Sequence, residues 1–273
     1  MPLLSVNKAL CTRCGLCSLA CPVNIIRLPE GDFPRYADDG AERCIICGHC
    51  EAVCPSGAVA LEDPRLDPKV CSALETGITR EQLGSYLRMR RSIRRYRKEP
   101  VERGVIEQML EIVRYAPTGA NSQSVGWLVI HDTAELRRLS GLVVDWMRVM
   151  AECDTPLHSY FNFAGMVKAW EKGHDPVCRN APHLLIAHAR ECAPTARIDA
   201  VIALSHLELV APAFDIGACW AGFFQFATEN WKPLMNALEL PEGHVPVYAM
   251  MFGYPLFPYQ RPPKRNPVSA TWR

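Results

Sequence analysis

The chain has 273 residues, 49% of them hydrophobic and 22% charged, with 30 Lys and Arg set against 29 Asp and Glu. That balance excludes wholesale disorder, and a formal charge of +1 supplies no global field for a nucleic acid or an acidic membrane. No apolar run is long enough to span a bilayer: the longest hydrophobic stretch, near 201–224, is interrupted by His206, Glu208 and Asp215, and residues 1–10 lack the core of a secretory signal, so the expected compartment is the cytoplasm, without membrane insertion.

Eight of the thirteen cysteines fall within the first 54 residues. In a reducing compartment such density points to metal ligation rather than disulfides. Residues 11–22 read CTRCGLCSLACP and residues 44–55 read CIICGHCEAVCP, the same C-x2-C-G-x-C-x3-C-P frame repeated at an offset of 33. Three cysteines at steps of three can wrap a loop around one cubic cluster, whereas zinc draws a C-x2-C pair from each of two places and leaves the third thiol surplus. Gly15 and Gly48 follow the second cysteine of each copy, where the missing Cβ lets the backbone approach sulfur. Pro22 and Pro55 then turn the chain away, and Val23, Ile25, Ile26, Ile45, Ile46 and Val53 are the expected apolar shell.

This pattern resembles bacterial ferredoxins that carry two [4Fe-4S] clusters. The resemblance implies that the fourth cysteine of each run crosses over, giving one cluster on Cys11, Cys14, Cys17 and Cys54 and another on Cys44, Cys47, Cys50 and Cys21. Paired clusters of this kind serve electron transfer. The other five cysteines, Cys71, Cys153, Cys178, Cys192 and Cys219, have no ligand spacing and read as small buried hydrophobes.

Residues 1–62 are therefore expected to form the cluster domain and 63–78, with two prolines and mixed charge, a linker. A second domain, 79–273, opens with Thr79 and Gln82 as a capping box. A helix is expected over 102–115, strands over 127–131, 184–189 and 245–251, and helical stretches near 133–151 and 196–216. The segment 153–182, with Tyr160, Phe161, Phe163 and Trp170, reads as less regular and as a substrate-side lid or simple packing. Its histidines, His158 and His174, and His183 just beyond it read as structural. The plan is α+β.

Between the first two helices runs RMRRSIRRYRK, residues 88–98, with seven basic side chains in eleven. A solvated face or a nucleic-acid patch is the bland reading, but no row of stacking aromatics accompanies it. Arginines and a serine converging on one phosphate make bidentate, charge-assisted bonds that a featureless surface does not.

Arg90, Arg91, Ser92 and Arg94 form a block similar to the R-x-S-x-R run of the FMN-dependent nitroreductase family. Tyr115–Gln123 is similar to that family's A-P-S-x-x-N-x-Q block, with Thr118 in place of serine and Ser124 and Val125 in place of the usual proline and tryptophan. Ile216–Gly222 resembles its G-x-x-x-W-x-G turn, and Gly253-Tyr-Pro with Arg261 to Arg265 resembles its C-terminal signature. The resemblance covers about residues 79–273 and implies a three-layer sheet and helix domain in an intertwined homodimer that binds FMN. Arg90, Arg91, Ser92, Arg94, Arg261 and Arg265 would hold the phosphate. Pro117, Thr118, Gly119 and Asn121 would reach the flavin of the other subunit. The backbone N–H groups of Ala221 and Gly222 would face flavin N5, with no side chain nameable as a catalytic acid.

No G-x-G-x-x-G follows an expected strand and no phosphate-cradling G-x4-G-K-[ST] occurs, so dedicated nicotinamide or ATP modules are not evident. Clusters carry single electrons and a flavin can deliver two as hydride, so their union makes a one-to-two-electron converter. The expected function is an oxidoreductase fed by reduced ferredoxin or a similar donor and acting on a small electrophile: a nitroaromatic, a quinone or an activated alkene. The rival is a flavin and iron-sulfur relay or redox sensor that acts on a protein partner.

Overall fold

The computed structural model describes residues 1–67, 77–153 and 156–273, so Cys71 lies outside the described residues. It divides into two compact units, one taking Met1–Gly77 with Gly119–Ser122, the other Ile78–Thr118 with Gln123–Arg273.

The first unit runs β1 (Leu3–Val6), α1 (Leu16–Leu19), β2 (Ile26–Arg27), β3 (Arg35–Tyr36), α2 (Gly40–Arg43), α3 (His49–Ala52) and β4 (Val59–Glu62). β1 pairs antiparallel with β4, and β2 with β3. The two copies of the cysteine frame fold alike. Gly15 and Gly48, at φ 77° and 69°, enter α1 and α3 from the left-handed region, which glycine adopts without steric cost. Arg13 and Ile46, each just before the second cysteine, also have positive φ, 59° and 53°. A β-branched residue such as Ile46 adopts that conformation only against a steric cost. Ile25, Ile26 and Val59 are buried together with Cys17, Cys21 and Cys50.

The second unit runs α4 (Arg80–Met89), α5 (Arg103–Val113), β5 (Gly126–Ile130), α6 (Thr133–Glu152), α7 (Phe163–Glu171), β6 (His183–Arg190), α8 (Ala196–Val210), β7 (Gly217–Trp220), α9 (Gly222–Asn230), α10 (Lys232–Ala237) and β8 (His244–Gly253). The capping box forms at α4: Gln82 N–H donates to Thr79 Oγ1 at 3.2 Å and Thr79 N–H to Gln82 Oε1 at 2.9 Å. The strands make one antiparallel sheet in the order β5-β6-β8-β7. Alternation along β6 puts Leu184 and Ile186 against α6, α7, α9 and α10, and Leu185, Ala187 and Ala189 against α5 and α8, because successive side chains of a strand face opposite ways. Helices therefore cover both faces.

Two local expectations change. The stretch taken as less regular contains α7, whose cap is Asn162 accepting from Gly165 N–H at 2.8 Å. The stretch expected to be helical to 216 ends as α-helix at Val210 and continues only as a 3₁₀ turn, Ala211–Phe214, containing Pro212, whose missing N–H cannot extend the α-helical ladder.

His183 is fully buried at the start of β6. Its Nε2 accepts from Val101 N–H at 2.8 Å, its Nδ1–H donates to His131 O at 2.8 Å, and its ring stacks on His131 at 4.4 Å. Both ring nitrogens are used in the neutral form, and a proton on Nε2 would meet a donor. Burial depresses its pKa to about 4, against the hydrogen bond to the His131 carbonyl, which favours the protonated form, and with a smaller push from the His131 ring charge. Below pH ~6.5 the unfolded chain takes up a proton that the fold refuses, so this contribution is complete above that pH and is lost as pH falls toward 4, by at most about 3 kcal/mol. The thermal midpoint is expected to drop between pH 7 and pH 5, and His183→Gln to flatten that dependence; parallel curves for the two proteins would contradict it.

Candidate redox site

The thiols of the first unit gather in two groups. Burial raises the Cys17 thiol, and neighbouring Cys14 and Cys11 add to the effect. Burial lifts Cys50 to about 11, with Cys47 and Cys44 contributing. Cys21 does not stay with the first group: Cys21, Cys44, Cys47 and Cys50 all line one cavity, walled by Val23, Ile25, Ile26, Tyr36 and Leu61. Tyr36 and His49 are its polar members besides the thiols, and Tyr36 is hydrogen-bonded to one of those thiols. Its hydroxyl donates to Cys44 Sγ at 3.5 Å, and its ionisation is opposed by burial and then by Cys44, Cys50 and Cys21.

Cys54 is tied to the first group through backbone. Its sulfur accepts from Ala58 N–H at 3.2 Å, Ala58 O accepts from Asn7 N–H at 2.8 Å, and Asn7 O accepts from Cys11 N–H at 3.0 Å. Burial opposes ionisation of Cys54, but hydrogen bonds from Ser56, Val59 and Ala58 outweigh it and lower its pKa. Among the described residues no three such side chains stand close enough to hold a single metal ion. Four soft sulfur ligands, as Cys21, Cys44, Cys47 and Cys50 around this apolar cavity would be once deprotonated, are nevertheless the donor set that an iron-sulfur cubane takes.

The basic run of the second unit is extended and stapled to the sheet. Ile93 N–H donates to Ala218 O at 3.0 Å, Arg97 N–H to Tyr254 O at 2.8 Å, and Tyr96 bridges to Pro255. Gly217 is required there, because a Cβ would lie 2.5 Å from Ile93. Arg90 and Arg91 line a cavity of about 640 Å³ with Tyr86, Glu208, Tyr254 and Tyr259. Arg90 pairs with Glu208 at 2.7 Å, and the same carboxylate accepts from Trp220 Nε1–H at 3.1 Å. Burial, then Arg265 and Arg90, lower the pKa of Arg91, whose Nε is buried with no partner among the described residues. Ser92 and Arg94 lie instead beside Cys219. Arg261 and Arg265 are exposed on the C-terminal segment.

The turn into α9 has Ala221 as its cap and Gly222 as its first residue. Ala221 N–H is committed to Ala249 O at 2.9 Å, so only Gly222, at a position where a helix offers no internal acceptor, retains the donor role expected of both. Beside it, Phe223 and Phe226 pack on Phe161 with ring centroids 5.0 Å and 6.2 Å apart. Thr118 Oγ1 accepts from Gln123 N–H at 3.0 Å. Gly119–Asn121 form a 3₁₀ turn, with Ala120 and Asn121 at positive φ. Asn121 Nδ2 donates to Ile45 O at 3.1 Å and Ile46 O at 2.9 Å, inside the first unit. The segment from Asp175 is a turn held by this buried carboxylate, which accepts from the N–H groups of Val177, Cys178 and Asn180 at 2.9–3.0 Å.

Sequence reasoning missed Glu208 and Tyr36 as site residues. Glu208 was visible only as a charge interrupting an apolar stretch, and nothing in the pattern between the cysteine copies marks Tyr36.

The family model described as Nitroreductase family matches residues 87–254, and that of a 4Fe-4S dicluster domain matches residues 10–58. An FMN reductase (NAD(P)H) of Bacillus subtilis (strain 168) is 27% identical over 169 residues, which are 60% of this chain; the chain spans 62% of that protein's length. A nitroreductase with bound FMN from Bacteroides fragilis NCTC 9343 has a TM-score of 0.55 at 20% identity, with 71% of this chain and 100% of that chain covered. A nitroreductase with bound FMN from Desulfitobacterium hafniense DCB-2 has a TM-score of 0.56 at 16% identity over the same shares of 71% and 100%. These structures share the fold. The chain belongs to the nitroreductase family and carries a 4Fe-4S dicluster domain ahead of the family's fold.

Proposed function

We propose that this oxidoreductase holds two [4Fe-4S] clusters and FMN, takes single electrons from a low-potential donor such as reduced ferredoxin, and delivers a pair to a small electrophile, a nitroaromatic, a quinone or an activated alkene. The observation that carries the reading is the cavity lined by Cys21 with Cys44, Cys47 and Cys50, since this is the ligand set expected if the fourth cysteine crosses between copies. Cys11, Cys14, Cys17 and Cys54 are the corresponding thiolates of the other cluster. When bound, the clusters supply one-electron transfer and FMN supplies two-electron hydride chemistry.

The chain's own residues bind and position. Three arginines, Arg90, Arg91 and Arg265, crowd together while Glu208 is paired to Arg90 alone. Their mutual repulsion and the unpartnered Arg91 Nε suit an incoming phosphate. Ser92, Arg94 and Arg261 are assigned as its further ligands. Gly222 N–H is assigned to the reactive edge of the ring, with Ala221 packed beside it. The aromatic wall of Phe161, Phe223 and Phe226 would seat a planar acceptor and exclude water. A homodimer is supported by exposed apolar side chains on three helices: Leu83 and Leu87 on α4, Ile112 on α5, and Ile198 and Val201 on α8. Pro117, Thr118, Gly119 and Asn121 are assigned to the flavin of the second copy, Asn121 through its carbonyl oxygen because its amide nitrogen is taken.

Anaerobic mixing of reconstituted protein with reduced ferredoxin should bleach cluster and flavin absorbance together and support turnover of a quinone; failure of either chromophore to reduce would reject the reading. Arg91→Gln is expected to weaken FMN retention about tenfold or more, the scale of one charge-assisted bond, with iron content unchanged. Normal flavin stoichiometry at limiting FMN would remove the phosphate assignment. Tyr36→Phe deletes a donor to the Cys44 sulfur and is expected to lower the potential of one centre, at unchanged iron stoichiometry, in an EPR-monitored redox titration.

A further inference from the structure

The two cysteine loops share a backbone but not a surface. At the offset of 33, Lys8, Arg13, Leu16 and Leu19 of the first copy correspond to Ala41, Ile46, His49 and Ala52 of the second, and Thr12 and Ser18 correspond to Ile45 and Glu51. At these four positions the first copy carries two cations and two leucines and the second carries none, while Leu10 corresponds to Arg43, whose charge Asp39 answers. All four side chains are exposed. Leu19 is 83% and Leu10 50% accessible, and Cys14, at the tip of the loop, is exposed as well.

The cations are held in place. Arg13 stands over the Phe33 ring with its guanidinium 4.5 Å from the centroid, and Lys8 Nζ lies 5.6 Å from the same centroid. One aromatic ring therefore presents two positive groups, and among the described residues neither has a carboxylate partner. Arg35 and Arg43, by contrast, are answered by Asp32 and Asp39. The second loop has its Ile45 and Ile46 carbonyls covered by the Asn121 amide. A pair of unanswered cations rimmed by exposed leucines around a solvent-facing ligand is the arrangement of a transient docking face, in which charge steers the encounter and a small apolar patch seats it.

We infer that the face formed by Lys8, Leu10, Arg13, Leu16 and Leu19 docks an acidic one-electron carrier protein, and that electrons enter through the first cysteine copy. The inference rests on the proposed function and specifies its donor side. An acidic carrier complements Lys8 and Arg13, and its close approach at Cys14 shortens the path to the metal that thiol would bind.

The test uses the full chain with its clusters and FMN in place. Binding of an oxidised acidic two-cluster ferredoxin is measured by calorimetry, and cluster reduction by the same ferredoxin is followed by stopped flow at several ionic strengths. Lys8→Glu with Leu19→Glu is expected to weaken binding and slow reduction about tenfold at low salt and to flatten the salt dependence, while reduction by dithionite keeps its wild-type rate. Arg13→Asn, which the left-handed backbone tolerates, should act in the same direction. Lys172→Glu in the second unit, an equal change of a single lysine's charge, should have no effect. If ferredoxin reduces the wild type and the Lys8 and Leu19 variant alike, the docking face is overturned and the proposed function stands. If the wild type is reduced by dithionite but neither binds nor accepts electrons from ferredoxin, the donor reading and the docking face fall together.

Discussion

The first unit cannot close a core without sulfur. Its buried hydrophobic side chains are Ile25, Ile26, Ala58, Val59 and Leu61, and Cys17, Cys21 and Cys50 are buried with them, in one cluster with Ile25, Ile26 and Val59. A segment of this size has little apolar surface to offset its chain entropy, and bonds to the clusters proposed for it would add the missing stability. Everything assigned to this unit follows from that dependence. The proposed role of the thiols as ligands fits this, because as packing groups alone they are few and small. Arg13 and Ile46 take positive φ, a local cost that bonds at the flanking sulfurs would offset if they hold the proposed clusters.

The second unit solves the opposite problem, which is to place several like charges side by side on a fold that is already stable. Its sheet is covered by helices on both faces, and the arginine run is attached to that rigid edge through Ile93, Tyr96 and Arg97. Glu208 neutralises one arginine, leaving Arg91 and Arg265 without an equivalent counter-charge among the described residues. A rigid support can hold such repulsion at the expense of some stability, and an anionic ligand relieves it. Preorganised charge of this kind binds phosphate without having to order a flexible loop.

What the sequence made legible was periodic or repeated. The cysteine frame is visible because it occurs twice, the strands at 184–189 and 245–251 because apolar runs were bounded by turn residues, and α4 because Thr79 and Gln82 advertise its start. What stayed hidden depends on contacts distant along the chain. β7 is a strand only because Gly217–Trp220 pairs with β8, and its four residues carry no alternation of their own. Glu208 serves Arg90 across a separation of 118 residues, and Asn121 reaches Ile45 and Ile46 across 76 and 75. The block around Asn121 was readable as a motif, but the partner of its side chain was not, since a hydrogen bond to a backbone carbonyl leaves no mark in the acceptor's residue type.

The two cysteine copies differ in what one and the same backbone presents. One backbone conformation serves both loops, with matching φ values at Gly15 and Gly48 and at Arg13 and Ile46. It does not constrain the side chain that stands before the second cysteine. In the first copy that side chain is an arginine over Phe33, facing outward with its charge unanswered. In the second it is an isoleucine, and the carbonyls that the strained turn exposes are taken by Asn121. The strain serves different ends in the two loops: it turns a cation outward in one and offers a paired acceptor inward in the other. The frame is repeated, and an entry and an exit for electrons, as proposed, would call for two different surfaces on it.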